Sequence, residues 1–564
     1  DQFLRQHYRS SKDSTLPLNG FKQIETFLTF IRMQSSSNHD ATSSLSSRSP
    51  LKHEPLLSVL GLLTITVLWL TINLPSLITY PAPYSDESQI GGMSAQYLQS
   101  GGFHTTIYGE KSIEVYKNWR LYTVGLAGVF RIWGIGLAQA RIFSWVGVLV
   151  GGWLLFALGY KLYGDQVGLL SAALYLFSLR TLWVSHVVRP DAWVNAASIA
   201  SFLLFWLTKE SRNRWLAFIL GIFLAVAVDI YIVAIYSSIA IALAMLIEFR
   251  QRFDWVILRY FIIGGLIGII YWLAFQLFPN PVDMIAGWQG HLSAIGVGGN
   301  SLASMISNMP SSIIALIKVG VIGHSRLGMI EAIYILGGLI ILAIRRRETD
   351  KFLLIGWVVL GIGQVVPYKG LWHLVDLLPL FSITVATGAE SIGGWLAARF
   401  QKAIFISPHY AFLVAGVLIA GFIFGGVSIN NRNRLLNYEQ YVGELRQLVP
   451  PNSSILGEGT WWWGFQHFQF TAEEYLRSNN MRGEIPDSDI IRAVITERRV
   501  NVILIDEYLS FHPTPFEPDL YDALVTYTTL NCRLEGVVEL YGYGVEYGGP
   551  AIKRTQVFIC PTPQ

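Results

Sequence analysis

The chain is poor in charge and almost free of cysteine. Of its 564 residues, 14% are charged and two are cysteine, Cys532 and Cys560. So few cysteines argue against a metal-thiolate site, although the two leave a disulfide open if that region faces an oxidising compartment. The net charge is only +3, and the basic residues fall in short clusters, which argues against a nucleic-acid partner.

The motifs of several enzyme classes are also missing. No Walker loop, dinucleotide fingerprint or His-Glu-x-x-His motif occurs, which argues against an ATP-driven pump or a zinc protease. Residues 1–54 are polar and Ser-rich, without the apolar core of a cleaved signal peptide. We interpret them as a cytoplasmic N-terminal tail.

Apolar sequence is what the chain has in excess. It is 52% hydrophobic with 18 Trp, and its mean hydropathy of +0.43 lies outside the range of soluble proteins of this size. A membrane-spanning helix needs about 20 apolar residues. We therefore predict a polytopic α-helical membrane protein with about 11 transmembrane helices within residues 55–430. The predicted spans are 56–80, 138–158, 167–187, 192–207, 215–228, 232–247, 260–277, 327–344, 352–366, 371–388 and 410–427.

The distribution of Lys and Arg predicts the orientation of these spans. With the N-terminus inside, the basic clusters fall in the cytoplasmic loops, as the positive-inside rule requires. The outer face then receives the loops 81–136 and 279–325 and the residues after 430. The orientation of the later spans depends on whether residues 121–135 cross the membrane. This segment is short and carries Arg131 and Trp133, so we interpret it as an amphipathic helix in the outer interface.

Residues 431–564 change character and predict a small extracytoplasmic α/β domain. The patterns at 438–448 and 489–498 are helical, and those at 454–457, 501–506, 535–541 and 555–560 are typical of strands. The run 461–463 consists of three tryptophans, which could stack on sugars or rest on the membrane surface.

An acidic pair, Asp86 and Glu87, follows the first predicted span. An ionisable side chain at the centre of a membrane helix costs ~2.5 to 3.5 kcal/mol and is a functional candidate by default. This pair lies past the end of the span, so a solvated loop explains it too. The functional alternative is that one carboxylate accepts a proton from a hydroxyl while the other positions substrate or a cation.

A second charged corner, Arg189-Pro190-Asp191, lies between two later spans. Pro in a first helical turn and Asp near a helix N-terminus have an ordinary structural explanation. That explanation leaves Arg189 without a role. We predict that this corner and the acidic pair lie on the same membrane face and form one site.

Two basic clusters sit at predicted outer span ends. Lys117 and Arg120 precede the interfacial helix, where they could extend to lipid headgroups or bind the phosphate of a lipid-linked substrate. Lys369 and His373 form a similar cluster with Asp376, which a turn between span ends would explain equally well.

The order of these features resembles the GT-C glycosyltransferases, and within them the group of protein O-mannosyltransferases and lipid A aminoarabinose transferases. The resemblance covers residues 56–388: an outer Asp-Glu after the first span, a Lys before an amphipathic helix, an Arg-Pro-Asp opening the fourth span and a late Leu-Leu-Pro-Leu span. It implies an inverting transfer of a monosaccharide from a polyprenyl-phosphate donor to an acceptor hydroxyl on a lipid, glycan or protein, outside the cytoplasmic membrane or in the ER lumen.

By position in that pattern, Asp86 would be the general base, Glu87 would help to place the acceptor and Asp191 would support the site. The resemblance implies that Lys117 and Arg189 hold the leaving phosphate, and Arg120, Lys369 and His373 are further candidates. No cofactor is required by this scheme, which leaves a divalent cation open. Many relatives have two prolines after the Lys, whereas this chain has Asn118 and Trp119.

Two other classes of function compete with this interpretation. A transporter or flippase of a lipid-linked substrate predicts ionisable groups near mid-membrane, whereas this chain gathers its charges at one face. A non-catalytic scaffold would use the outer domain to bind a partner and the charge clusters only as anchors in membrane lipid.

Overall fold

The computed structural model describes residues 54–83, 85–103, 105, 107, 119–252, 254–279, 281–282, 284–285, 311, 314, 327–365, 376–399, 410–433, 436–473, 475–476, 487–506, 518–541 and 552–561. The predictions made for the tail up to residue 53, for Lys117, and for Lys369 and His373 lie outside these ranges.

A bundle of helices makes up most of the described residues from 54 to 432. Each predicted span overlaps at least one of its helices. The helices are α1 (Glu54–Asn73), α2 (Ser85–Ser100), α3 (Arg120–Trp133), α4 (Leu137–Tyr163), α5 (Asp165–Phe177), α6 (Leu179–Ser185), α7 (Asp191–Ser211), α8 (Arg214–Ile230), α9 (Ala234–Gln251), α10 (Trp255–Trp272), α11 (Gly328–Arg345), α12 (Glu348–Val365), α13 (Leu378–Arg399) and α14 (Tyr410–Arg432).

The predicted count of about 11 spans is not confirmed. Within the described ranges, seven helices are long and apolar enough to cross a membrane, or eight if the bent pair α5 and α6 is one span. The chain bends by 63° between α5 and α6, at Ser178, whose extended backbone and side-chain cap on the amide of Arg180 start a new helix. Apolar runs alone do not reveal such a break.

The interfacial helix predicted at 121–135 is helix α3, of 14 residues. One face of α3, including Tyr122, Leu126 and Phe130, is buried, whereas Ile132 and Trp133 are exposed. A helix of this length rises about 21 Å, too short for a hydrocarbon core of about 30 Å. This geometry fits a helix lying at the interface.

The C-terminal part folds as a five-stranded sheet with flanking helices, as predicted. Its sheet has the order β2-β1-β3-β5-β4, in which β1 pairs in parallel with β2 and β3 and β5 pairs antiparallel with β3 and β4. The elements are α15 (Tyr438–Leu448), β1 (Ser454–Gly457), β2 (Gln469–Ala472), α16 (Asp487–Glu497), β3 (Val502–Asp506), α17 (Pro518–Asn531), β4 (Arg533–Tyr541) and β5 (Ile552–Ile559).

Two features tie this domain together and to the bundle. Cys532 and Cys560 form a disulfide that joins the end of α17 to the end of β5. Trp461, Trp462 and Trp463 are buried in a core shared with α2 and α3, and Gly91 of α2 lies so close to Trp463 that a Cβ would overlap the indole. The tryptophan run is therefore a packing element between α2 and the sheet.

Candidate active site

Arg189 joins the two predicted acidic corners. Its Nη1 donates to Asp86 Oδ2 at 2.5 Å and its Nε donates to Asp191 Oδ2 at 2.9 Å. Asp86 lies in the first turn of α2 and Asp191 begins α7, where free amides and the helix dipole favour negative charge. The structure thus brings Asp86 and Asp191 to the same end of the bundle, where the guanidinium of Arg189 contacts both carboxylates.

Glu87 is held apart from this contact by a different arginine. Arg141 of α4 donates from Nε to Glu87 Oε1 at 3.0 Å and from Nη2 to Glu87 Oε2 at 2.9 Å. Both side chains are fully buried. Glu87 Oε1 also accepts from the amide of Val188 at 3.0 Å, so this carboxylate fixes the loop that carries Arg189.

Exposure separates the three predicted catalytic carboxylates. The side chain of Asp86 is 31% exposed, compared with 1% for Asp191 and 0% for Glu87. Of the three, only Asp86 can meet a hydroxyl group from outside without a rearrangement. Both oxygens of Glu87 are engaged in the protein interior. Its role in placing the acceptor stays a prediction, and in this arrangement Glu87 would act through the residues that it holds.

The phenol of Tyr231 faces the same charges. Burial raises the pKa of Tyr231, the cation of Arg189 opposes the rise, and the anions of Asp191, Asp376 and Asp86 add to it. The charge of Asp376, a buried residue of the late predicted cluster, therefore acts on the same phenol as the charges of Asp86, Arg189 and Asp191.

Arg120, a predicted phosphate ligand, opens α3. Its guanidinium lies over the rings of Phe103 and Phe275, 5.1 Å and 4.8 Å from their centroids, and its Nη1 donates to the carbonyl of Phe275 at 3.2 Å. None of these contacts of the Arg120 guanidinium is with a carboxylate, so an anionic ligand could still pair with this cation.

Sequence reasoning missed Arg141 and Tyr231. Arg141 did carry a signal, since it is a full charge inside the predicted span 138–158, where a charge needs a buried partner. Tyr231 carried none, because a tyrosine at the end of an apolar hairpin is ordinary.

The described part of the chain contains no group of three or more His, Cys, Asp or Glu side chains arranged to hold a metal ion. Two carboxylates do converge, but a guanidinium lies between them. The expectation that no cofactor is required stays a prediction.

Residues 123–275 match the family described as dolichyl-phosphate-mannose-protein mannosyltransferase. The structure is similar to ArnT from Cupriavidus metallidurans bound to undecaprenyl phosphate, with a TM-score of 0.57 at 11% identity over 90% of this chain and 98% of that one. No curated protein sequence matches the chain.

A second likeness is to the oligosaccharyltransferase of Archaeoglobus fulgidus in the apo form, with a TM-score of 0.53 at 12% identity over 85% of this chain and 73% of that one. The chain therefore has the fold of the GT-C glycosyltransferases, as the motifs predicted, and is a multi-pass membrane protein.

Proposed function

We propose that this chain is an inverting glycosyltransferase that moves a monosaccharide from a polyprenyl-phosphate donor to an acceptor hydroxyl on the outer side of the membrane. The observation that carries the proposal is the contact between Arg189 and both Asp86 and Asp191, with Asp86 the exposed member. ArnT, which shares the fold, binds undecaprenyl phosphate, which supports a donor of this class.

In the proposed reaction, Asp86 accepts the proton of the acceptor hydroxyl as its oxygen attacks the anomeric carbon. The bond from that carbon to the phosphate oxygen breaks, and polyprenyl phosphate leaves with one more negative charge. Inversion follows because a single displacement occurs from the face opposite the phosphate. Asp191 would orient Arg189, which in turn orients Asp86.

The leaving phosphate needs a cation close by, because preorganised charge stabilises the transition state in a water-poor site. Arg189 uses Nη1 and Nε for the two aspartates, and no hydrogen bond joins its Nη2 to another described residue. We assign this Nη2 to the phosphate, with Arg120 as a second cation. Lys117, Lys369 and His373 remain proposed phosphate ligands on the basis of the family resemblance.

Glu87 is better suited to a positioning role than to contact with the acceptor. Its ion pair with Arg141 and its contact with the amide of Val188 connect α2, α4 and the turn before α7. The pair thereby fixes the positions of Asp86 and Arg189 relative to each other.

The outer location is supported by the Cys532–Cys560 disulfide, since such bonds persist in oxidising compartments. The same side of the bundle carries the site, because the domain with the disulfide packs on α2 and α3.

The test is a transfer assay with the full chain in nanodiscs and a panel of polyprenyl-phosphate monosaccharides, in which release of polyprenyl phosphate is measured. We expect turnover with at least one donor and a loss of about 100-fold or more in Asp86→Asn. Asp165→Asn is the matched control, since Asp165 also lies exposed in a first helical turn. Unchanged turnover in Asp86→Asn would refute the assignment of the base, and no turnover with any donor would refute the proposed class.

A further inference from the structure

A cavity of about 220 Å³ lies between α2 and the C-terminal sheet. From α2 it is lined by Gln96 and Gln99, and from the other side by Gln466 and Gln469 and by the rings of Trp462 and Phe470. The cavity is smaller than the roughly 300 Å³ at which drug-sized sites begin. Its size suits a single small ring.

The chemistry of the lining is that of a site for hydroxyl groups. Each glutamine amide offers two N–H donors and one carbonyl acceptor, and a hydroxyl group can use both kinds. Gln96 and Gln466 already donate from Nε2, to Ser100 Oγ at 3.2 Å and to the carbonyl of Trp463 at 2.9 Å. Gln99 and Gln469 are exposed and make no side-chain hydrogen bond to another described residue, so their amides are available to a ligand. Trp462 and Phe470 are mostly buried and add a small apolar area to the lining, which suits the C–H groups of a sugar ring.

Charge plays a small part in this lining. Arg498 is its one ionisable residue, and its guanidinium is placed over the Tyr475 ring, 4.5 Å from the centroid. A strongly anionic ligand would need more cations than this. The lining therefore favours a neutral polyhydroxylated ligand.

A peptide is disfavoured by the state of the neighbouring sheet edge. Strand β2 is an edge strand, where an extended peptide could add by main-chain hydrogen bonds. The amide of Ala472 in β2 already donates to the carbonyl of Ile107 at 2.9 Å. A segment of this chain thus covers part of that edge.

Helix α2 connects the cavity to the proposed base. Gln96 follows Asp86 by ten residues on the same helix, which corresponds to about 15 Å along its axis. A ligand longer than one sugar ring could therefore sit in the cavity and extend along α2 toward Asp86.

We propose that this cavity is an acceptor subsite for a neutral oligosaccharide chain, an assignment that rests on the proposed glycosyltransferase function. The cavity binds one sugar residue of the acceptor, and a neighbouring residue presents its hydroxyl group to Asp86. This names a glycan, among the lipid, glycan and protein acceptors, as the substrate class.

The test is binding of the full chain, in nanodiscs, to a printed array of neutral and acidic oligosaccharides and of Ser- and Thr-containing peptides. Glucoside and maltoside detergents are avoided because they carry the ligand class under test. We expect neutral oligosaccharides to bind without any donor present. The double variant Gln99→Ala/Gln469→Ala should lose about tenfold or more in affinity, since two amides that are available to the ligand are removed.

Gln440→Ala is the matched control, because Gln440 is an exposed glutamine of α15 outside the cavity; it should bind as the unmodified chain does. Because binding is measured without donor and without turnover, its outcome is independent of the assignment of the base, which separates this proposal from failure of the catalytic assignment. Binding only of peptides or acidic glycans, absence of glycan binding, or equal affinity in the double variant would overturn the subsite.

Discussion

Arg141 and Glu87 form a fully buried ion pair at the end of the bundle that carries the candidate site. Arg141 also donates to the carbonyls of Leu77 and Pro81, each at 3.0 Å. One guanidinium therefore holds the end of the first span, the start of α2 and, through Glu87, the backbone at Val188. The site is assembled on this pair, although neither member is exposed to a substrate.

We predict that Arg141→Met destabilises the protein by about 3 to 5 kcal/mol, because it leaves the Glu87 carboxylate buried without its partner. The double variant Arg141→Met/Glu87→Gln should recover most of that loss, since no uncompensated charge remains. Thermal unfolding in nanodiscs measures both. A double variant as unstable as the single one would show that the pair is not the cause.

The same double variant tests whether Glu87 positions or reacts. If Glu87 only positions Asp86 and Arg189, the stable double variant Arg141→Met/Glu87→Gln keeps measurable transfer. Its KM for the acceptor then changes by a smaller factor than its kcat. Loss of transfer as complete as that of Asp86→Asn, at restored stability, would instead give Glu87 a chemical role.

For Arg189 we predict a loss that lysine does not repair. Arg189→Ala removes the contact that joins Asp86 to Asp191, and Arg189→Lys cannot reproduce two simultaneous hydrogen bonds from one planar group. Both variants should lower kcat and raise KM for the donor, with the alanine variant worse. Donor titrations in the transfer assay measure this, and an unchanged KM in both variants would refute the phosphate assignment.

We further predict that transfer persists after treatment with EDTA, because a guanidinium already lies between the two carboxylates that could otherwise share a cation. Activity before and after EDTA, with readdition of Mg²⁺ or Mn²⁺ as the control, decides the point. Loss on chelation and recovery on readdition would show that a metal ion completes the site.

The sequence predicts which charged residues belong to the candidate site better than it predicts which of them pair with each other. Asp86, Arg189 and Asp191 could be selected because charges beside apolar runs need an explanation. Their pairing could not, because Arg189 and Asp86 are 103 residues apart and each charge had several oppositely charged candidates. The same holds for Glu87, whose partner lies in α4.

In the C-terminal domain, the predicted strands with clear apolar patterns are present, but β2 and α17 were missed. Strand β2 has only four residues, Gln469–Ala472, and exists because it pairs with β1. Helix α17 contains three Thr, two Tyr and one Val among its 14 residues, and these residue types favour strands in isolation. Packing of α17 on α16 overrides that preference.

A buried cluster in the same domain predicts a dependence of stability on pH. Lys553 Nζ contacts both Asp506, at 2.7 Å, and Glu458, so two carboxylates share one cation. Burial raises the pKa of Asp506 from 3.8 to about 7, against the lowering effect of Lys553. Between pH 3.8 and about 7, Asp506 is therefore protonated in the folded state and ionised in the unfolded state. The stability that this proton contributes is full below pH 3.8 and is lost as the pH rises through about 7.

We expect strand β3, which ends at Asp506, to open more readily at pH 8 than at pH 5, after correction for intrinsic exchange rates. Hydrogen exchange of residues 502–506, followed by mass spectrometry of the full chain, is the measurement. Asp506→Asn should flatten the dependence, and Asp522→Asn, at an exposed position of α17, should not. A rise in protection with pH would contradict the raised pKa.

The disulfide allows a direct test of orientation, because Cys532 and Cys560 are the only cysteines of the chain. In intact cells, a membrane-impermeant maleimide should label the protein only after an impermeant reductant has been added, since both sulfurs are bonded and the domain is proposed to face outward. The variant Cys560→Ser should be labelled without reduction at Cys532, which is the more exposed of the two positions. It should also lose roughly 3 to 4 kcal/mol of stability, the loop-closure value for a separation of 28 residues. Labelling that requires permeabilised cells would place the domain in the cytoplasm, and the proposed site with it.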